Sequence, residues 1–350
     1  MKKFDYGFLK NDIPSNIIGL SGIIADLHAK EEFRKLQYGD AFESLRQKAI
    51  IESVKESNAL EGIITTEERI RDIVRGAAPV THDEKEISGY KDALSMIHRE
   101  HENMELTEEI ILSFHRMIQR ETDPKEAGRY KAHDNLIIEN LQDGSRRVRF
   151  RPVSSKDTPK AMEQLVLAYY DAKQDSEISE LLLIPCFVVD FLCIHPFRDG
   201  NGRVSRLLTV LLLYMAGYDI GRYISLEAQI NRYKESYYDA LEQASTGWHE
   251  NQNDYVPVIV NFMQLLYRCF KDLDDSFMEI SLKKAKKSER VEAVLLNAIV
   301  PVSKGDILEK LPDVSMKTVE LVLSKMLKED KIKKIGTYRD ARYMRKEKHK

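Results

Sequence analysis

HPFRDGNGRVSR, residues 195–206, decides how this chain is read. The run before it, Leu181 to Ile194, is almost wholly apolar, and Pro196 stops it. His195 therefore stands at the end of a buried helix. Gly200-Asn201-Gly202 then leads straight into a second apolar helical run, RVSRLLTVLLLYMAG. Glycines at a helix start let backbone N–H groups approach a ligand, and the helix dipole favours anions there. Arg203 and Arg206, three apart on the first turns, add two fixed positive charges. Such a nest of donors and cations describes a polyphosphate site. Asp199 would repel phosphate there unless a cation such as Mg²⁺ bridges them. His195 is placed to accept a proton from an incoming hydroxyl. No GxxxxGK[ST] is present and helices rather than strands flank the turn, which excludes a Walker loop and a Rossmann turn.

A second stretch, KESNALEGI at 55–63, sets a glutamate where two forces oppose it. Ile50, Val54 and Ser57 form one helical row that Glu61 continues, so burial is expected there. Gly62 follows as a C-terminal stop, so the dipole of the preceding helix disfavours the negative charge. Both arguments call for a cationic partner.

Around these stretches the chain reads as mainly helical. Helical patterns cover 16–29, 41–61, 66–76, 83–101, 107–121, 156–174, 178–194, 201–216, 226–245 and 254–275. One segment differs: HDNLIIENLQDGSRRVRFRPV, 133–153, has short β-like runs about Asp143-Gly144, a hairpin signal. A Lys-rich linker is expected at 276–287. Beyond it, helices at 288–299, 303–311 and 315–329 precede the β-like runs KIKKIG and ARYMRK, joined by Thr337-Tyr338-Arg339-Asp340. That order resembles a winged helix-turn-helix domain over 288–350. The expected organisation is an N-terminal helical region (1–110), a core domain (111–275), the linker and the winged helix.

The 350 residues are 43% apolar and 32% charged, with a net charge of -3 that hides an asymmetry. Residues 283–350 hold 19 Lys/Arg against 10 Asp/Glu, a net of +9, while the remainder carries 35 against 47, a net of -12. A basic C-terminal segment fits a phosphate-facing surface. Its third helix, SMKTVELVLSKMLKE, offers few Arg or Asn for base edges, so DNA and protein partners both stay open. The three cysteines form no CxxC, and their low count suits a reducing compartment. MKKFDYGFLK lacks an apolar signal core. The longest apolar run contains Asp190 and is too short to span a bilayer. A soluble, cytoplasmic protein is the expectation.

HPFRDGNGRVSR matches the signature of the Fic family, HPFx[D/E]GNGRxxR, at every specified position. The resemblance covers roughly residues 40–270. It implies a helical enzyme that transfers AMP from ATP, with Mg²⁺, to a Ser, Thr or Tyr hydroxyl of a target protein. It implies His195 as general base and Asp199 as the Mg²⁺ ligand. Gly200, Asn201 and Gly202 would cradle the phosphates, and Arg203 and Arg206 would hold the β- and γ-phosphates. The hairpin becomes a flap whose edge, at Leu136, Ile137 and Ile138, docks the target. NRYKESYYDAL, 231–241, resembles the segment that covers the adenine, with Tyr238 as the base contact and Tyr237 its rival. Some relatives carry Asn where this chain has Ser245.

SNALEG, 57–62, resembles the inhibitory motif [S/T]xxxE[G/N] of the same family. There the glutamate pairs with the second arginine of the signature, here Glu61 with Arg206, and Ser57 steadies the inhibitory helix at about 41–61. Self-association through the helical body is also implied. Two other functions are weighed beside restrained transfer. One is AMP removal, with Glu61 positioning water. The other is a DNA-binding regulator whose body senses nucleotide.

Overall fold

The computed structural model describes residues 2–11, 13–140, 145–284, 287–298, 301–336 and 341–346. The chain divides into two compact units, Met1–Asp274 and Asp275–Lys350. The division expected near residue 110 is not a structural boundary, because helices from both sides of it pack within the first unit.

The first unit centres on α7, Glu180–Ile194, whose side chains from Leu181 to Phe191 are all buried. Around it pack α6, Thr158–Lys173, α8, Asn201–Met215, and α10, Lys234–Ser245. Burial of each such apolar side chain stabilises by roughly 1.5–3 kcal/mol. Asp190 interrupts this apolar helix, and its cost is offset by three donors. Tyr6 Oη, Trp248 Nε1 and Tyr255 Oη donate to it at 2.7, 2.6 and 2.7 Å. Burial still raises its pKa above the ordinary carboxylate value.

Four earlier helices complete the frame: α2, Gly39–Ala59, α3, Glu67–Val74, α4, His82–Glu100, and α5, Glu108–Gln119. Thr66, Thr81 and Thr107 cap α3, α4 and α5 with side-chain oxygens, and acidic residues fill each first turn. α1, Ser15–Gln37, runs beyond its expected end at 29. The segment 226–245 is two helices, α9, Leu226–Arg232, and α10, broken at Tyr233, whose φ of -116° and ψ of 37° are not helical. α11, Val256–Lys284, continues through most of the expected linker, as Met, Glu, Leu and Lys are good helix formers and no Gly or Pro stops it there.

The hairpin consists of β1, Ile137–Asn140, and β2, Arg146–Phe150, paired antiparallel with a bulge between Ile137 and Ile138. Its expected Asp143-Gly144 turn lies outside the described residues.

The second unit holds α12, Lys287–Asn297, β3, Val302–Ser303, α13, Lys304–Lys310, α14, Met316–Lys328, β4, Ile332–Ile335, and β5, Arg342–Arg345. The antiparallel sheet has the order β3-β5-β4. Val291, Leu295, Ile307, Val319, Met326 and Tyr343 are among the residues of its own core. Most of the expected wing, Thr337 to Asp340, lies outside the described residues. No helix of the described residues is long and apolar enough to cross a membrane.

Candidate active site

α7 ends at His195, which adopts the left-handed conformation with φ 50°. Its N–H still closes the helix on Phe191 O at 2.9 Å. The imidazole Nδ1 lies 3.3 Å from Leu192 O. A carbonyl only accepts, so Nδ1 carries the proton and Nε2 keeps its lone pair. Burial pushes the His195 pKa down to about 4, and Lys131 adds to the effect. Leu192 O, Glu61 and Asp199 pull the other way. At neutral pH the ring is an uncharged base on the wall of a cavity of about 230 Å³.

The turn after His195 is locked from within. Asn201 Oδ1 accepts from Phe197 N at 2.9 Å, and its Nδ2 donates to Phe197 O at 2.8 Å. The Asn201 side chain is thereby occupied in holding the turn, not presented to a ligand. Gly200, with φ 80°, makes the left-handed step into α8 that a side chain would strain. Gly202 sits in the first turn of α8, where N–H groups lack intrahelical partners.

A carboxylate faces that helix end. Glu61 Oε1 accepts from Arg206 Nη2 at 2.8 Å. A methyl group at Gly202 would stand only 2.2 Å from the same oxygen. The negative end that α2 presents to Glu61 is thus met by the positive end of α8 and by Arg206. Ser57 supplies two more contacts: its Oγ accepts from Arg206 Nε and its carbonyl from Nη2, both at 2.8 Å. Arg206 is 3% exposed and Ser57 is fully buried. The burial expected of Glu61 itself is not found. α2 ends at Ala59, Glu61 lies on the following turn, and its side chain is 32% exposed, directed into the cavity. Asn231 Nδ2 donates to Glu56 Oε2 at 2.6 Å and fastens the last turn of α2 to α9.

Arg203, expected at the β-phosphate, is turned away from the cavity. It is 1% exposed and forms a buried ion pair with Glu86 of α4, with Asp199 Oδ2 at 3.8 Å. Asp199 is the exposed carboxylate of the turn, at 76%, with Oδ1 accepting from Gly200 N at 2.6 Å. One accessible carboxylate beside an anion nest fits Mg²⁺, which keeps waters and phosphate oxygens as its other ligands. A second acidic cluster, Glu31, Glu32 and Asp219, already holds the Lys35 ammonium, 3.1 Å from Glu31 and 2.6 Å from Glu32.

Tyr237, Tyr238 and Ser245 of α10 line the same cavity as His195, Gly202 and Arg206. The two tyrosine rings meet edge to face, 5.4 Å apart. Ile137 and Phe150 bring the hairpin to the wall of the same cavity. Leu136 precedes β1, and both it and Ile138 face solvent. Arg149 Nη2 donates to Tyr238 O at 2.7 Å, so hairpin and α10 are joined over the cavity.

Sequence reasoning passed over four residues that build this site. Glu86 shares a buried row with Tyr90, Ala93 and Ile97 of α4, the same signal of a carboxylate on an apolar row that singled out Glu61. His115 of α5 accepts from Gly128 N at 3.0 Å through Nδ1, so its Nε2–H donates to Asp199 O at 3.2 Å. Its ring stacks on Phe197 at 3.9 Å. Lys131 and Asn135 reach the His195 turn from the approach to β1, and no local pattern marks them.

Residues 105–213, which span α5 through most of α8, match the model of the Fic/DOC family. The chain carries a Fic/DOC domain. Among curated proteins the chain is 26% identical over 245 residues to protein adenylyltransferase Fic of Nematostella vectensis, covering 66% of this chain and 49% of that one. It is 26% identical over 200 residues to protein adenylyltransferase fic-1 of Caenorhabditis elegans, covering 54% and 36%. The chain thus spans about half or less of the length of these relatives. Among solved structures, a Fic family protein from Desulfovibrio desulfuricans superposes with a TM-score of 0.63 at 19% identity, covering 97% of this chain and 99% of that one. Fic-1 of C. elegans gives 0.56 at 22%, covering 75% and 73%. These likenesses show the Fic fold.

Proposed function

We propose that this Fic protein transfers AMP from ATP to a side-chain hydroxyl of a target protein, and that Glu61 restrains the reaction. The observation that carries the proposal is the Glu61–Arg206 contact at 2.8 Å, made against Gly202 in a cavity that His195 also lines. Carboxylate and phosphate compete for one nest of donors.

His195 Nε2 takes the proton of the target hydroxyl. The hydroxyl oxygen forms a bond to the α-phosphorus, the bond from that phosphorus to the bridging oxygen breaks, and pyrophosphate leaves. The backbone N–H groups of the first turn of α8, at Gly202, face the phosphates, and Arg206, once free of Glu61, balances the charge of the leaving group. Arg203 acts from beneath by holding the turn through Glu86. Mg²⁺ at Asp199 would neutralise phosphate charge. Tyr237 and Tyr238 provide the aromatic wall for the base, and the open edge of β1 gives a target segment its register. Labelled ATP with purified protein tests this: His195→Ala should abolish transfer and Glu61→Gly should raise it.

A second reading rests on Glu61 being partly exposed in the same cavity as His195. Its carboxylate can orient a water for the reverse reaction, removal of AMP. Loss of AMP removal in Glu61→Gly would support that reading.

The second unit has the element order of a winged helix. Among the described residues, Lys304 pairs with Glu320 at 2.7 Å and Lys325 with Glu292 at 2.9 Å. Met316 and Leu321 of α14 are exposed. Paired lysines beside apolar side chains suit contact with protein better than with DNA phosphates.

A further inference from the structure

The approach to β1 holds the turn around His195 at three points. Lys131 Nζ donates to Ile194 O at 3.1 Å. The backbone N–H of the same residue donates to Pro196 O at 2.8 Å. One lysine thus ties the carbonyls on both sides of His195. Asn135 extends the bracket: its Oδ1 accepts from Lys131 Nζ at 2.9 Å and its Nδ2 donates to Phe197 O at 3.1 Å.

Lys131 is 3% exposed. An ammonium is costly to bury without such partners. It lies at the C-terminal end of α7, where carbonyls lack intrahelical donors and the dipole favours a cation. Burial lowers its pKa to about 8, with Asp134 acting in the opposite sense, so it is charged at neutral pH. What the bracket restrains is a left-handed residue, His195, a conformation disfavoured for a non-glycine.

We infer that Lys131 is a positioning residue: with Asn135 it fixes the backbone on either side of His195 and ties β1 to the imidazole, holding target hydroxyl and base in one frame. The inference rests on the reading of His195 as the base for adenylyl transfer. A misplacement of about 1 Å in such a frame costs on the order of 100-fold in rate.

The test compares Lys131→Met and Asn135→Ala, each in the Glu61→Gly background. Lys131→Met should lower kcat about 10- to 100-fold and leave the Kd for Mg-ATP within twofold. The double variant should be no slower than Lys131→Met alone, because the two side chains form one bracket. An unchanged kcat, or a rise in Kd that matches the loss of rate, overturns the inference. Should Lys131→Met not fold, Asn135→Ala carries the same comparison. ¹⁵N NMR of the His195 ring gives a readout that needs no turnover. The single-tautomer pattern of the parent should become a mixture in either variant, and an unchanged spectrum overturns the positioning role. If Glu61→Gly itself transfers no AMP, the functional reading fails and the NMR comparison alone decides the role of Lys131.

Discussion

Replacing Glu61 by glycine removes one of three hydrogen bonds to Arg206 and clears the carboxylate from Gly202. The remaining two, both to Ser57, keep the guanidinium in place. A hydrogen bond between charged groups contributes about 1.5–3 kcal/mol. The Glu61 side chain is 32% exposed, and solvent screening reduces this to about 1–2 kcal/mol. Phosphate must displace the carboxylate before it can use the nest. Glu61→Gly should therefore tighten Mg-ATP binding about 5- to 30-fold, with a matching rise in AMP transfer at subsaturating ATP. Glu61→Gln, which keeps the bulk and loses the charge, should fall between. Calorimetry with a non-hydrolysable ATP analogue and Mg²⁺ measures the first effect, and labelled ATP the second. Binding and transfer within twofold of the parent would refute the reasoning.

Burial holds the pKa of His98, His115 and His195 at about 3, 4 and 4, against about 6.5 unfolded. The unfolded chain binds protons that these rings refuse, so thermal stability should fall as pH drops from about 6.5 towards 4, and a constant Tm over that window would contradict the burial argument. Glu86→Gln leaves the Arg203 guanidinium buried without its carboxylate and should cost about 3–5 kcal/mol in denaturant unfolding; a loss below about 1 kcal/mol would remove Arg203 as the support of the turn. Asp199→Asn should abolish the Mg²⁺ dependence of ATP binding, and a dependence like that of the parent would place the metal elsewhere. The full chain should give no salt-sensitive gel shift with duplex DNA at low salt, and a shift would reverse the reading of α14.

The turn from His195 to Arg206 is legible in the sequence because its parts are contiguous. A buried helix, a proline stop and a glycine-opened helix place His195, Gly200, Gly202 and Arg206 within twelve residues. The Glu61–Arg206 contact joins positions 145 apart and was reached through the family motif. Its surroundings differ from the helical row: Val54 and Ser57 are buried, but the chain leaves the helix at Leu60 and turns Glu61 into the cavity. In the sequence the charge of Arg203 stands three residues from that of Arg206 and points to phosphate. The buried partner of Arg203, Glu86, lies 117 residues away and is brought to it only by the packing of α4 against α8. Lys131 is not legible in the sequence, because it is held to the turn through the backbone carbonyls of Ile194 and Pro196, which carry no side-chain signature. The break at Tyr233 has no glycine or proline to announce it.

The intact mass of the protein after incubation with Mg-ATP tests the central claim most directly. AMP should be added to Glu61→Gly, to a much smaller extent to the parent, and not at all to Glu61→Gly carrying His195→Ala. Equal addition to parent and Glu61→Gly, or addition that survives the loss of His195, would contradict a histidine-driven transfer restrained by Glu61.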